Sequence, residues 1–197
     1  MTAPKTLLEL AGADLNPPKL SEACLVLIDI QNEYRTGPLA LPDADRAIAA
    51  TAGLLARARQ GGAAIFHVAH KGRAGGLFDR EAERGAIVDS LAPLVGERVI
   101  EKGLPNAFAG TDLQALIAAT GRKNIVLAGF MTHMCVSSTA RAALDLGLRT
   151  TIAADACASR DLPDGRGGTL AARTIQKVAL AELSDRFAII TQTGALN

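Results

Sequence analysis

Apolar residues along this chain gather in short, nearly unbroken runs, separated by longer segments of helical spacing. The runs cover residues 23–29, 63–69, 98–100, 124–129, 149–154 and 187–191. Most lack the alternation of a strand with one wet face, so they are read as strands buried on both sides, as in a parallel sheet. Between them, 43–60 carries Ala47, Ile48, Leu54, Leu55 and Ala58 on one face until Gly61 and Gly62 stop it. Segment 111–120 opens on a Thr N-cap, repeats Leu113, Leu116 and Ile117, and ends at Gly121. Segments 134–146 and 168–183 are the remaining helices. Strands alternating with helices predict an α/β fold. It is a three-layer α/β/α sandwich around a doubly wound, six-stranded parallel sheet, Rossmann-like, with right-handed crossovers. Ligands of such sheets collect beyond the carboxyl ends of the strands, which is where chemistry is sought.

Composition narrows the field. The 197 residues suit one domain, 1–197, with 1–20 as an N-terminal surface arm, and no repeat or Gly/Ser linker divides it. Net charge is +1 with no basic run, aromatics are few and Trp is absent, so no nucleic-acid partner is expected. No apolar run approaches the roughly 20 residues of a membrane span. The N-terminus lacks a basic-then-apolar leader pattern, so a cytoplasmic location and no membrane partner are expected. Three cysteines without a CxxC pair fit reduced thiols.

Three residues at strand ends carry candidate chemistry. Cys135 lies where the run ending at Gly129 passes into a helix. Unpaired N–H groups there favour a thiolate and can later hold an oxyanion. The competing reading is a small buried apolar residue. Asp29 lies deep in an apolar run, costly unless paired or used, and is otherwise a structural acid. Lys102 follows the third run. A thiol needs a base and a positive field, and Asp29 and Lys102 supply both. Cys24 and Cys157 read as structural.

Pocket candidates are Tyr34, His70, Asn106, Phe108 and His133. Loop hydrogen bonding explains Asn106 equally well, a hydrophobic plug Phe108, and turn packing His133. The Gly-rich, charged segment 71–85 reads as a flexible loop or lid. Arg73 or Arg80 could meet an acidic substrate there, although a solvated surface loop accounts for it too. Segment 159–168 reads as another loop beside the fifth strand's end. No G-x-G-x-x-G follows the first strand, which disfavours a nucleotide site.

The segments LVLIDIQNEY, EKGLPNAFAGTDL and AGFMTHMCVSSTARAALDLGLRTTIAADACASRDLP resemble the three signature segments of the isochorismatase-like cysteine hydrolases. That superfamily includes nicotinamidases and N-carbamoylsarcosine amidases. The resemblance runs from about residue 22 to about residue 191. It implies an Asp29–Lys102–Cys135 triad, a non-proline cis peptide at Phe130–Met131, and oxyanion donors on the backbone N–H groups of Met131 and Cys135. It also implies a homo-oligomer, a dimer or tetramer. The D-x-H metal pattern of nicotinamidases is missing around His67 and His70, so no metal and no cofactor are expected. Members specialised for vinyl ether cleavage can dispense with the cysteine. Retention of Cys135 therefore points to hydrolysis of a small amide, ureide or carbamoyl C–N bond through a thioester-type adduct. The alternatives are ether hydrolysis by the aspartate alone, or a non-catalytic small-molecule-binding module.

Overall fold

The structure is a computed structural model that describes residues 3–197. In chain order the strands are β1 (Ala23–Ile28), β2 (Ala64–His70), β3 (Arg98–Lys102), β4 (Asn124–Phe130), β5 (Arg149–Ala158), β6 (Leu162–Pro163), β7 (Thr169–Leu170) and β8 (Ile189–Thr191). The helices are α1 (Leu7–Leu10), α2 (Ala44–Gln60), α3 (Leu113–Ala119), α4 (Ser137–Asp145) and α5 (Ala172–Arg186). Six strands form one parallel sheet in the order β3-β2-β1-β4-β5-β8, while β6 and β7 pair as a small antiparallel hairpin. The expected doubly wound sheet is present. The chain turns back between β1 and β4, and a crevice at strand ends opens at such a switch point.

Alternation along the central strand divides the core. Leu25 and Leu27 join Leu54, Leu55 and Ala58 of α2 on one face. Cys24, Val26 and Ile28 join Leu113 and Ile117 of α3, Ala140 and Ala143 of α4 and Leu183 of α5 on the other. Every residue of β1 is buried, as a strand covered on both faces requires. Gly129 belongs to this close packing. Its φ is +133°, and a Cβ there would lie 2.0 Å from the Ile28 carbonyl oxygen. Only glycine lets β4 approach β1 so closely at the switch point.

Several boundaries differ from expectation. β3 runs on to Lys102, and β5 runs to Ala158, so Cys157 lies inside a strand rather than beyond it. The expected helix start at Met134 is replaced by a π-helical turn over Thr132–Val136, with α4 following. Segment 159–168 contributes β6 to the hairpin. The β2–β3 crossover contains short 3-10 turns instead of an α-helix, and it lies on the α2 face through Phe78, Val88 and Leu91.

The flexible-loop expectation for 71–85 is corrected, because this strap is anchored. The fully buried Glu33 carboxylate accepts the Phe78 N–H at 3.1 Å and contacts Arg84 at 3.3 Å. Arg80 donates to the Gly85 carbonyl and pairs with Glu101 at 3.3 Å, so its charge is already engaged. A buried carboxylate is tolerable only with such partners, which is why the strap is held down. Among the described residues no helix is long and apolar enough to cross a membrane.

Candidate active site

Strand ends build the site. Asp29 immediately follows β1, Lys102 ends β3, and Cys135 lies in the π turn after β4. Asp29 is fully buried with φ +52°, a left-handed conformation uncommon for a non-glycine residue and often found at functional positions. β3 lies two strands from β1 in the sheet. At about 4.8 Å per strand the gap is on the order of 10 Å, which calls for the longest straight side chain available. Lys102 spans it. Its Nζ lies 2.7 Å from Asp29 Oδ2 and 3.4 Å from Cys135 Sγ. The Asp29 and Lys102 side chains have no exposure, and Cys135 is 4% exposed.

Burial governs the electrostatics. It raises the Asp29 carboxyl above the ordinary carboxylate range, against the pull of the Lys102 ammonium. It also pushes the Cys135 thiol up to about 12, with the Asp29 charge adding to the rise and Lys102 opposing it. At that value the sulfur holds its proton until a base takes it, in keeping with the expected need for Asp29 and Lys102. Desolvation and a neighbouring carboxylate outweigh one ammonium and a turn that is π-helical at the sulfur.

The other candidates divide. His70 ends β2, with Nδ1 3.3 Å from Lys102 Nζ and its ring 4.9 Å from that of Phe78. Burial first and the Lys102 charge second lower its pKa to about 4, so the imidazole is neutral. Tyr34 is buried between Phe78 and Phe130, at ring separations of 5.3 and 5.5 Å. Its hydroxyl is pushed up by burial, then by Asp29 and Cys135. The Phe130–Met131 peptide is cis. His133 shares the turn with Cys135, and both ring nitrogens are buried without a hydrogen-bond partner among the described residues. Asn106 accepts the Phe108 N–H at 2.9 Å, and Phe108 packs against the core face of α3 and α4. The first is a local loop hydrogen bond, and the second places Phe108 on the core face that also holds Cys135.

Cys24 lies 3.4 Å from Thr120 Oγ1, and Cys157 is closed into the sheet, its thiol pushed up to about 12 by burial. His67 is taken by Glu97 at 2.8 Å. Among the described residues no group of three His, Cys, Asp or Glu side chains could hold a metal ion.

Sequence reading passed over Gln31, Glu33, Phe78 and Arg160. Gln31 is fully buried; it takes the His70 N–H at 2.8 Å and donates to the carbonyls of His70 at 3.0 Å and Gly85 at 2.7 Å. Arg160, just past β5, has a buried Nε without a hydrogen-bond partner among the described residues, and its charge acts on both Tyr34 and His133. A Q-x-E pair directly after a strand-end aspartate was the available signal, since polar groups so close to a buried strand must find buried partners.

Residues 23–195 match the isochorismatase domain model. The chain belongs to the isochorismatase family. It is 37% identical to the secreted isochorismatase effector Isc1 of Verticillium dahliae, over 94% of this chain and 96% of that protein. It is 31% identical to the maleamate amidohydrolase of Pseudomonas putida, over 69% of this chain and 72% of the relative. Among solved structures, an isochorismatase of Pseudomonas putida KT2440 superposes with a TM-score of 0.95 at 42% identity, covering 99% of this chain and 100% of that one. An isochorismatase-family hydrolase therefore carries Asp29, Lys102 and Cys135 in an arrangement consistent with a catalytic triad.

Proposed function

We propose that this protein hydrolyses a C–N bond in a small amide, ureide or carbamoyl compound through a covalent adduct on Cys135. The observation that carries the reading is the Lys102 ammonium, 2.7 Å from Asp29 Oδ2 and 3.4 Å from Cys135 Sγ. The sulfur attacks the carbonyl carbon while its proton passes to the Asp29 carboxylate. Lys102 offsets the charge on both partners during that transfer. Backbone N–H groups of Met131 and Cys135 are the proposed oxyanion donors. Asp29 then delivers the proton to the leaving nitrogen, and the amine departs to leave a thioester. Water, deprotonated by Asp29, attacks that thioester and frees the acid and the thiol. A neutral resting thiol suits this order, because the proton moves only once a carbonyl is in place.

The maleamate amidohydrolase relative supports C–N chemistry. The nitrogens of His133 and Nε of Arg160, buried without a hydrogen-bond partner among the described residues, support a polar substrate. No cofactor takes part in these steps. A second reading has its own support: burial raises the Asp29 carboxyl, the direction that favours an acid able to protonate a vinyl ether. A panel of amides, ureides and vinyl ethers, run on wild type and Cys135→Ala, separates the two. Amine or ammonia release that vanishes in the variant supports the first reading. Ether cleavage that persists in it supports the second.

We also propose a homo-oligomer, tested by sedimentation, and a cytoplasmic location, tested by cell fractionation. The Verticillium relative is secreted by name, which makes the second test informative.

A further inference from the structure

Lys102 presents three N–H donors, and three acceptors surround it: Asp29 Oδ2 at 2.7 Å, Cys135 Sγ at 3.4 Å and His70 Nδ1 at 3.3 Å. The mechanism above uses the first two. We propose that His70 is a positioning residue: a neutral imidazole that takes the third Lys102 N–H and thereby fixes the ammonium between carboxylate and sulfur. This role rests on the triad reading of the site.

The chemistry assigns the tautomer. An ammonium only donates, so Nδ1 accepts and the ring proton resides on Nε2. The ring is held from several sides. His70 and Lys102 are register partners on adjacent strands. Gln31 grips the His70 backbone at both its N–H and its carbonyl, and Phe78 packs on the ring. The groups facing this point are Lys102 from β3, Asp29 after β1 and Cys135 from the π turn, while the strap offers the apolar Phe78. Lys71 and Glu101, the flanking charges, pair with each other at 2.7 Å. A pKa lowered to about 4 keeps the imidazole an acceptor at neutral pH.

Without His70, a buried ammonium has one unsatisfied N–H, which is costly in a dry site. The amine then turns toward the carboxylate, its strongest partner, and away from the sulfur. The thiolate loses stabilising field, so the thiol becomes harder to ionise.

The test uses the full chain carrying His70→Leu, His70→Phe or His70→Asn. Leucine and phenylalanine remove the acceptor, and phenylalanine keeps a ring against Phe78, so either serves if the other fails to fold. Asparagine restores an acceptor oxygen near the Nδ1 position. The rate of iodoacetamide alkylation of Cys135 is followed at one fixed alkaline pH, with Cys135→Ala as background for Cys24 and Cys157. Steady-state kinetics are measured beside it.

In the apolar variants alkylation of Cys135 at one fixed alkaline pH slows by about tenfold. Turnover falls about tenfold or more while KM changes less than about twofold. His70→Asn recovers most of both. Apolar variants with the wild-type alkylation rate overturn the proposal, as does an asparagine variant impaired as badly as leucine, or an effect confined to KM. If wild type hydrolyses no amide or ureide, the hydrolase reading fails by itself, and alkylation still decides whether His70 positions Lys102.

Discussion

β2 carries two histidines three residues apart, and their contrasting surroundings separate a finished cluster from an open one. Residues at odd spacing on a strand face opposite sides of the sheet. His67 faces the α2 side and meets Glu97, whose carboxylate takes Arg59 Nε at 2.8 Å, Arg59 Nη2 at 2.9 Å, the Leu94 N–H at 2.9 Å and His67 at 2.8 Å. His70 meets Lys102, and beyond it an Asp29 whose Oδ1 is buried with no hydrogen-bond partner among the described residues. Both clusters join a histidine, a carboxylate and a cation. One carboxylate is saturated, and despite desolvation its bonds to Arg59, Leu94 and His67 hold it down at about 2. The other is undersupplied, and burial raises it. Saturation makes a structural tie, whereas unfilled acceptor capacity beside a thiol leaves room for a reaction.

The largest expected effect tests the open cluster alone. Cys135→Ala lowers turnover by roughly six orders of magnitude, the scale seen when a nucleophile is removed from a concerted set. Glu97→Gln, measured in the same assay, retains activity within about twofold of wild type. Equal losses in the two variants would erase the distinction.

Next in size is Lys102→Met. It leaves the Asp29 carboxylate buried and unpaired, and urea unfolding reads a loss of about 3–5 kcal/mol. The double variant Asp29→Asn/Lys102→Met is more stable than the lysine single, because no lone charge is then buried. A double variant as unstable as the single would show that Lys102 matters through packing.

The saturated cluster has a pH signature of definite sign. Folding lowers the Glu97 pKa from its ordinary 4.5 to about 2. Its stabilisation is therefore complete above the unfolded value and drains away as pH falls from about 4.5 toward about 2. Glu97→Gln costs about 1–3 kcal/mol near neutral pH. Stability curves of variant and wild type converge through that acid window; parallel curves would refute the tie.

The smallest effect sits one residue from the triad. Glu101 pairs with Lys71 at 2.7 Å, but the two side chains are 39% and 59% exposed. Glu101→Gln changes stability by less than about 1 kcal/mol, since water screens Glu101 against both Lys71 and Arg80, and Arg80 keeps its bond to the Gly85 carbonyl. Its neighbour Lys102, on the same strand with no exposure, shows that position relative to solvent, more than residue type, sets the size of a charge effect.

Much of this molecule was readable from one dimension. Runs such as 124–129 marked parallel strands because burial on both faces removes alternation, and strand-end logic then singled out Asp29, Lys102 and Cys135. The strap resisted such reading: its Gly-rich, charged composition matches a solvated loop, and only the buried Glu33 shows it to be anchored. Asn106 and Phe108 follow Lys102 closely in sequence; Asn106 closes a local turn onto the Phe108 N–H, and Phe108 lies on the core face that holds Cys135.

Local pattern by itself determined the strand-and-helix order and nominated three side chains at strand ends, because hydrophobic period and a buried acid are properties of neighbouring residues; the family came from the likeness of three segments. Only the wound sheet decided that Lys102 reaches across β2, that His70 lies at its side, and that the sulfur keeps its proton. Those outcomes depend on distances and desolvation among residues far apart in the chain.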